Sequence, residues 1–142
     1  AVTLATYSLG SCIGVCLYDA VVGMAGLLHY QLPSSTMDPA RAKEKPLMFA
    51  DTGLAQLVGS MVQHGAQAKR MSVKLAGGAE MLNDSKTFSI GRRNYTAIRK
   101  LLWQNGMLIE REDVGGAQPR TVYMRVADGS VTIKSAGNTY SI

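Results

Sequence analysis

Two apolar runs near the start of the chain constrain the fold more than any other feature. Residues 13–18 (IGVCLY) and 24–30 (MAGLLHY) each have the composition of a strand, and the five residues between them suit a hairpin loop. The pattern predicts that these two strands pair antiparallel. The chain therefore contains a sheet, and its other elements have to be placed around this hairpin.

Two long helices and further strands follow the hairpin. Apolar residues recur at helical spacing over 47–64, with Gly65 placed to stop the helix, and 91–104 predicts a second helix closed by Asn105-Gly106. The remaining predicted strands are 71–76, 107–111, 120–126 and 130–135. The fold class expected is α/β: a layered sandwich with a mixed, mostly antiparallel sheet and the two long helices packed on it.

The segment 34–46 lacks an apolar period. It is polar and holds two of the four prolines, so it predicts a mobile surface loop.

Length and composition predict one domain over residues 1–142. The chain starts at Ala1 rather than Met, so we expect a native N-terminal segment to precede it. With 46% hydrophobic and 18% charged residues, no long apolar run and no secretory signal pattern, the expected location is the cytoplasm, without membrane insertion.

The net charge of +5 favours an acidic partner. The cations are dispersed in short clusters at 69–70, 92–93 and 99–100, and the few aromatic residues do not interleave with them as a base-stacking platform requires. We therefore expect a solvated basic surface and no nucleic-acid partner. A nucleic-acid binder would instead show strongly salt-dependent binding that is indifferent to Cys12→Ala.

The cysteines point to thiol chemistry or to none. Cys12 and Cys16, on an extended segment, would lie roughly 13 Å apart, too far for a disulfide. Two histidines supply a zinc site poorly, so neither a metal nor a cofactor is expected. Cys16 lies inside an apolar strand and fits a buried small hydrophobe, whereas Cys12 lies between Gly10 and Gly14, which permit a tight, exposed turn.

A thiol nucleophile needs a nearby base, and His29 is the candidate. A hairpin folding near residue 21 brings position 29 opposite position 13, within a residue or two of Cys12. The alternative is a hydrogen-bonded core histidine. His64, just before Gly65, is explained by a favourable position at a helix end.

Several short motifs together resemble one family. They are, in chain order, LGSC, GLLHYQLP, FADTGL, LAGGAEM, SIGRRN and EDVGG. In these motifs and across nearly the whole chain, the sequence is similar to the chemotaxis protein CheD family, the chemoreceptor glutamine deamidases.

The resemblance implies a papain-like active site on an unrelated fold. It assigns the nucleophile to Cys12, the base to His29 and an orienting threonine hydroxyl to Thr6. Cys12 would attack a receptor glutamine amide, ammonia would leave, and water would hydrolyse the thioester. The sequence departs from the family's usual pattern at Tyr7 and Ser8, where the family commonly has smaller or apolar residues, and the N-terminal segment that usually precedes this motif is absent from this sequence. We therefore expect the strand that holds Thr6 to be short of a neighbour.

Weaker expectations concern the oxyanion and the groove. The backbone N–H of Cys12 is the economical oxyanion donor, while Gly10 and Ser11 assist it or merely form the turn. Gly77 and Gly78 border the substrate groove or form a tight turn. The later motifs are explained by local structure. Gly91, Arg92 and Asn94 open a helix, where the asparagine satisfies nearby backbone groups. Gly115 and Gly116 shape a loop.

The partners implied by the resemblance are the cytoplasmic helical bundle of a chemoreceptor and the phosphatase CheC, and a methylesterase side activity is compatible with the same site. The alternative is a non-catalytic regulatory module that binds receptors or CheC. The presence of Cys12, His29 and Thr6 together argues against it, since docking alone does not require a thiol matched with an imidazole.

Overall fold

The computed structural model describes residues 2–81 and 89–142. Over these ranges the chain forms eight β-strands and three α-helices. The strands are β1 (Thr3–Leu9), β2 (Ile13–Asp19), β3 (Met24–Tyr30), β4 (Ser72–Gly77), β5 (Ile109–Val114), β6 (Arg120–Arg125), β7 (Val131–Ser135) and β8 (Asn138–Ser141). The helices are α1 (Pro39–Glu44), α2 (Ala50–Gln63) and α3 (Ile90–Gln104).

In the described part of the chain, the strands divide between two four-stranded sheets. The outer sheet has the order β1-β6-β7-β8 and its neighbours are antiparallel. The central sheet has the order β3-β2-β4-β5, in which only the pair β4 and β5 among the described strands is parallel. The predicted α/β class with mostly antiparallel strands is confirmed, and the sequence did not predict the division into two sheets.

The central sheet lies between the helices and the outer sheet. Along β2, alternate side chains face opposite sides: Val15 and Leu17 belong to the core shared with α2 and α3, whereas Cys16 belongs to the core between the sheets. Buried apolar side chains each stabilise the fold by about 1.5–3 kcal/mol. Both faces of the central sheet are therefore anchored, which fixes the hairpin β2–β3 within the fold.

Both long helices are confirmed, with one shifted start. Helix α2 begins at Ala50 rather than at residue 47, because Pro46–Met48 forms a 3₁₀ turn first. At its other end Gly65 has φ +111°, a conformation that glycine adopts without strain, so the predicted stop is correct. His64 caps the helix, and its Nδ1 lies 2.8 Å from the Ser60 carbonyl oxygen, as expected of a helix-end residue.

The prediction of a loop over 34–46 is wrong, because this segment contains a 3₁₀ turn at Ser35–Met37 and helix α1. The side chain of Asp38 caps α1 by accepting a hydrogen bond of 3.1 Å from the Arg41 N–H, and the Ser35 N–H donates to Asp51 over 2.9 Å. Helix α1 buries Ala42 alone among its residues, so no apolar period marks it in the sequence.

None of the helices formed by residues 2–81 and 89–142 has both the length and the apolar character that crossing a membrane requires.

Candidate active site

Cys12 lies in a turn between β1 and β2, and backbone hydrogen bonds from the segment after β4 hold this turn. The Gly78 N–H donates to the Cys12 carbonyl oxygen over 2.9 Å, and the Ala79 N–H donates to the Gly10 carbonyl oxygen over 2.9 Å. The Cys12 residue itself is partly buried. The segment that follows β4 therefore fixes the backbone on both sides of the thiol.

Glycine is required where β4 meets this turn. Gly77 has φ +110°, and a Cβ added to it would lie 2.2 Å from the Cys12 carbonyl oxygen. Its own carbonyl oxygen accepts a hydrogen bond of 3.1 Å from the buried guanidinium of Arg120. Gly78, at φ +63°, follows it and donates to Cys12. The structure shows the predicted tight turn, which braces the Cys12 backbone, and the position of Gly77 and Gly78 at a substrate groove stays a prediction.

His29 lies on the edge strand β3, and it faces the outer sheet. Its partner across the ladder is Gly14, one residue beyond the predicted partner at position 13. A Cβ added to Gly14 would lie 3.1 Å from Leu9 Cδ1, so the missing side chain lets β1 approach the hairpin closely. The hairpin is confirmed, and the register differs by one residue from the one we predicted.

Thr6 meets His29 across the gap between the sheets. Thr6 lies on β1, at the edge of the outer sheet, and its Oγ1 is 2.8 Å from His29 Nδ1. Strand β1 is not short of a neighbour, because Thr6 pairs with Val122 of β6 in the antiparallel ladder. The two residues are 23 positions apart in the chain, so the packing of one sheet on the other creates this contact.

Cys12 belongs to the same side of the central sheet as His29. The Cys12 side chain packs against the core between the sheets, which includes Leu9 and Cys16. Position 12 lies directly before β2 begins and two residues before Gly14, the ladder partner of His29. Thiol, imidazole and hydroxyl are thus brought to one end of the layer between the sheets.

The charges at this site depend on how far each group is removed from water. Burial lowers the pKa of His29 below its ordinary value of 6.5, which favours the neutral imidazole at pH 7, although the residue keeps access to solvent. Burial raises the pKa of the Cys16 thiol to about 12, an effect that the charge of Lys74 only partly offsets. Cys16 is therefore an inert core thiol, as its place in the strand predicted.

Gly10 and Ser11 complete the turn. A Cβ added to Gly10 would lie 3.1 Å from Met81 Cγ, and the Ser11 carbonyl oxygen accepts a hydrogen bond of 2.9 Å from Asn94 Nδ2. Their backbone groups shape the turn, and a role for the Ser11 hydroxyl stays a prediction. Within residues 2–81 and 89–142, no three His, Cys, Asp or Glu side chains are grouped to hold a metal ion.

Comparisons with known proteins match the chain to one family. A family model described as CheD chemotactic sensory transduction matches residues 31–135. A protein of Solibacter usitatus (strain Ellin6076), named "Probable chemoreceptor glutamine deamidase CheD", is 48% identical over 134 residues, covering 94% of this chain and 79% of that protein.

The chain belongs to the CheD family. A second relative, from Syntrophus aciditrophicus (strain SB) and named "Probable chemoreceptor glutamine deamidase CheD 1", is also 48% identical over 134 residues, covering 94% of this chain and 84% of the relative. The region matched by the CheD family model begins after Thr6, Cys12 and His29, so this part of the assignment is independent of the candidate site.

Sequence reasoning missed the part that Asn94 plays in this CheD-family fold. We expected Asn94 to satisfy nearby backbone groups, but its Nδ2 donates to the distant carbonyl oxygens of Ser11 and Gln31, each over 2.9 Å. The available signal was its position on the apolar stripe of α3, one turn before the fully buried Ile98. A polar residue on such a stripe has to find buried partners.

Proposed function

We propose that this protein is a chemoreceptor glutamine deamidase in which Cys12 is the nucleophile, His29 the general base and acid, and Thr6 the group that orients His29. The observation that supports the proposal most directly is the contact of 2.8 Å between Thr6 Oγ1 and His29 Nδ1, on the side of the central sheet where Cys12 lies. The curated CheD relatives carry the name of this activity.

The contact of Thr6 Oγ1 with His29 Nδ1 leaves Nε2 as the nitrogen available to act as base. When Nδ1 carries the proton and donates to Thr6 Oγ1, the lone pair of Nε2 is left to accept the Cys12 proton. The lowered pKa of His29 favours this neutral form, so we propose that His29 rests as a neutral imidazole. Proton transfer then accompanies the attack, as in general base catalysis.

In the first half-reaction, Cys12 Sγ forms a bond to the amide carbon of a receptor glutamine, and its proton passes to His29 Nε2. The tetrahedral intermediate collapses as the imidazolium returns that proton to the amide nitrogen, the C–N bond breaks and ammonia leaves. A Cys12 thioester remains. The backbone N–H of Cys12 is the proposed donor to the oxyanion.

In the second half-reaction, His29 takes a proton from water, whose oxygen attacks the thioester carbon. The C–S bond breaks, the thiolate recovers the proton, and the side chain is released as glutamate. The net change replaces one NH₂ by OH. A methyl ester of glutamate presents the same acyl carbon with methanol as leaving group, so we include methylesterase activity in the proposal.

We propose the helical bundle of a chemoreceptor as the substrate-bearing partner, in the cytoplasm. Exposed cations on α3, namely Arg92, Arg93, Arg99 and Lys100, support an acidic partner. We propose the phosphatase CheC as a second partner that competes with the receptor.

The test follows ammonia release and the mass of a purified chemoreceptor cytoplasmic fragment, which gains about 1 Da for each glutamine converted. Wild type should deamidate the fragment, and Cys12→Ala and His29→Ala should each lose most of the rate. Cys16→Ala and His64→Ala are matched controls that remove the same residue types elsewhere, and they should keep it.

Binding of the fragment without ammonia release from wild type would refute the catalytic proposal for that receptor and favour the non-catalytic module.

A further inference from the structure

Asn94 is a buried polar residue that joins the Cys12 turn to the strand of His29. It lies in the second turn of α3 and is 0% exposed. Its side-chain amide donates one hydrogen bond to the Ser11 carbonyl oxygen and the other to the Gln31 carbonyl oxygen, both over 2.9 Å. Ser11 directly precedes Cys12, and Gln31 follows β3, so one amide group spans both parts of the candidate site.

The orientation of this amide is unambiguous. Both of its partners are carbonyl oxygens, which only accept, so the NH₂ end has to face them. The backbone of Asn94 is held as well, because the Tyr30 hydroxyl donates to the Asn94 carbonyl oxygen over 2.6 Å. The donors are thus fixed relative to β3.

The other end of the amide shows that this arrangement has a cost. Among the described residues, Asn94 Oδ1 is buried and has no hydrogen-bond partner. A buried acceptor without a donor destabilises a fold. A side chain kept for packing alone would better be apolar at this position, so the two donated hydrogen bonds are the contribution that Asn94 makes.

The hydrogen bond to Ser11 has a geometric consequence for catalysis. The carbonyl of Ser11 and the N–H of Cys12 belong to one planar peptide, and in a trans peptide these two groups point in opposite directions. Holding the carbonyl oxygen against Asn94 therefore aims the Cys12 N–H away from α3. That N–H is the oxyanion donor in the proposed mechanism.

We infer that Asn94 is a positioning residue for deamidation: its side-chain amide sets the orientation of the Ser11–Cys12 peptide, and thereby the direction of the oxyanion donor, relative to His29. This inference rests on the proposed function. A donor aimed in advance stabilises charge that develops only in the transition state, so the loss of Asn94 should affect turnover more than substrate binding.

The kinetic test uses Asn94→Asp, which keeps the shape but replaces the NH₂ donors, and Asn94→Ala. Ile98→Val is the control, since it perturbs the buried face of the same helix without removing a hydrogen bond. On the receptor fragment, both Asn94 variants should lower kcat by about 10- to 100-fold with KM within about twofold, while Ile98→Val stays near wild type.

A second measurement distinguishes a misoriented Ser11–Cys12 peptide from a loss of Cys12 thiol reactivity. Alkylation of Cys12 by iodoacetamide develops no oxyanion, so its rate in the Asn94 variants should stay within about threefold of wild type. A loss of alkylation that parallels the loss of kcat, or a kcat equal to that of Ile98→Val, would overturn the inference.

A third readout does not depend on activity. The backbone ¹⁵N relaxation of Cys12 should show a lower order parameter in Asn94→Asp and Asn94→Ala than in wild type and Ile98→Val, because the peptide has lost its anchor. Unchanged order would contradict the inference even in an active enzyme. If wild type releases no ammonia, the proposed function fails, and this relaxation measurement alone decides whether Asn94 holds the peptide.

Discussion

Gly77→Ala should damage both the stability of the fold and the Cys12 turn. The added Cβ would lie 2.2 Å from the Cys12 carbonyl oxygen, and φ +110° is unfavourable for alanine. Backbone strain of this kind costs about 1–3 kcal/mol. Losing the neighbouring hydrogen bond from Gly78 to Cys12 costs about 0.5–1.5 kcal/mol more. The expected loss in free energy of unfolding is about 1.5–4.5 kcal/mol, below the 5–15 kcal/mol typical of a domain.

The assay compares Gly77→Ala with Gly59→Ala. Gly59 lies inside α2, where an added Cβ would meet no described atom within 4 Å apart from the neighbouring backbone of the helix. Alanine at this position should stabilise the fold by about 0.5–1 kcal/mol. By thermal unfolding, Tm should fall by about 6–15 °C in Gly77→Ala and rise slightly in Gly59→Ala. At a temperature where both are folded, deamidation by Gly77→Ala should fall at least about tenfold, because the backbone of Cys12, the proposed nucleophile, has moved. A Gly77→Ala protein with wild-type Tm and rate would refute this account of the turn.

Three further predictions concern the side chains of the site. Thr6→Val removes the hydrogen bond to His29 Nδ1, which contributes about 0.5–1.5 kcal/mol, so kcat should fall about 2- to 12-fold. Thr6→Ser should restore kcat, and an unchanged kcat in Thr6→Val would count against the orienting role. Because burial lowers the pKa of His29, the acidic limb of kcat/KM should have its midpoint below pH 6.5, with activity lost as pH falls through it. A midpoint above 6.5 in a pH–rate profile would contradict this lowered pKa. After brief iodoacetamide treatment at pH 8, peptide mapping should find Cys12 alkylated and Cys16 unmodified. A thiol with a pKa of about 12 is ionised in only about one molecule in 10⁴ at this pH. Preferential labelling of Cys16 would refute its assignment as a core thiol.

Elements with a strong local pattern could be predicted from the sequence. The hairpin β2–β3 and the helices α2 and α3 follow from apolar runs and helical spacing, and Gly65 and Gly106 end the helices with positive φ as expected. Helix α1 could not be predicted in the same way, because its stability comes from capping and from its neighbours rather than from an apolar face. Local pattern reports a helix only when one of its faces is buried.

The parts of the site set by local pairing could be predicted from the sequence, and those set by long-range contacts could not. The hairpin register places His29 opposite Gly14, within one residue of the predicted partner, because a ladder is set by local pairing. The contact between Thr6 and His29 depends on how the outer sheet packs on the central sheet, and the resemblance to CheD, rather than any pattern, named Thr6. Asn94 acts through carbonyl groups 83 and 63 residues away, so its neighbours in the sequence do not reveal it.

The central claim is that the Cys12 thiol becomes acylated by a receptor glutamine. The most direct measurement is mass spectrometry of acid-quenched mixtures of the enzyme with a chemoreceptor cytoplasmic fragment. The account predicts a covalent adduct at Cys12 with the summed mass of both proteins less ammonia, about 17 Da, and its absence from Cys12→Ala. Deamidation of the fragment by Cys12→Ala at the wild-type rate, with no adduct in either protein, would contradict it.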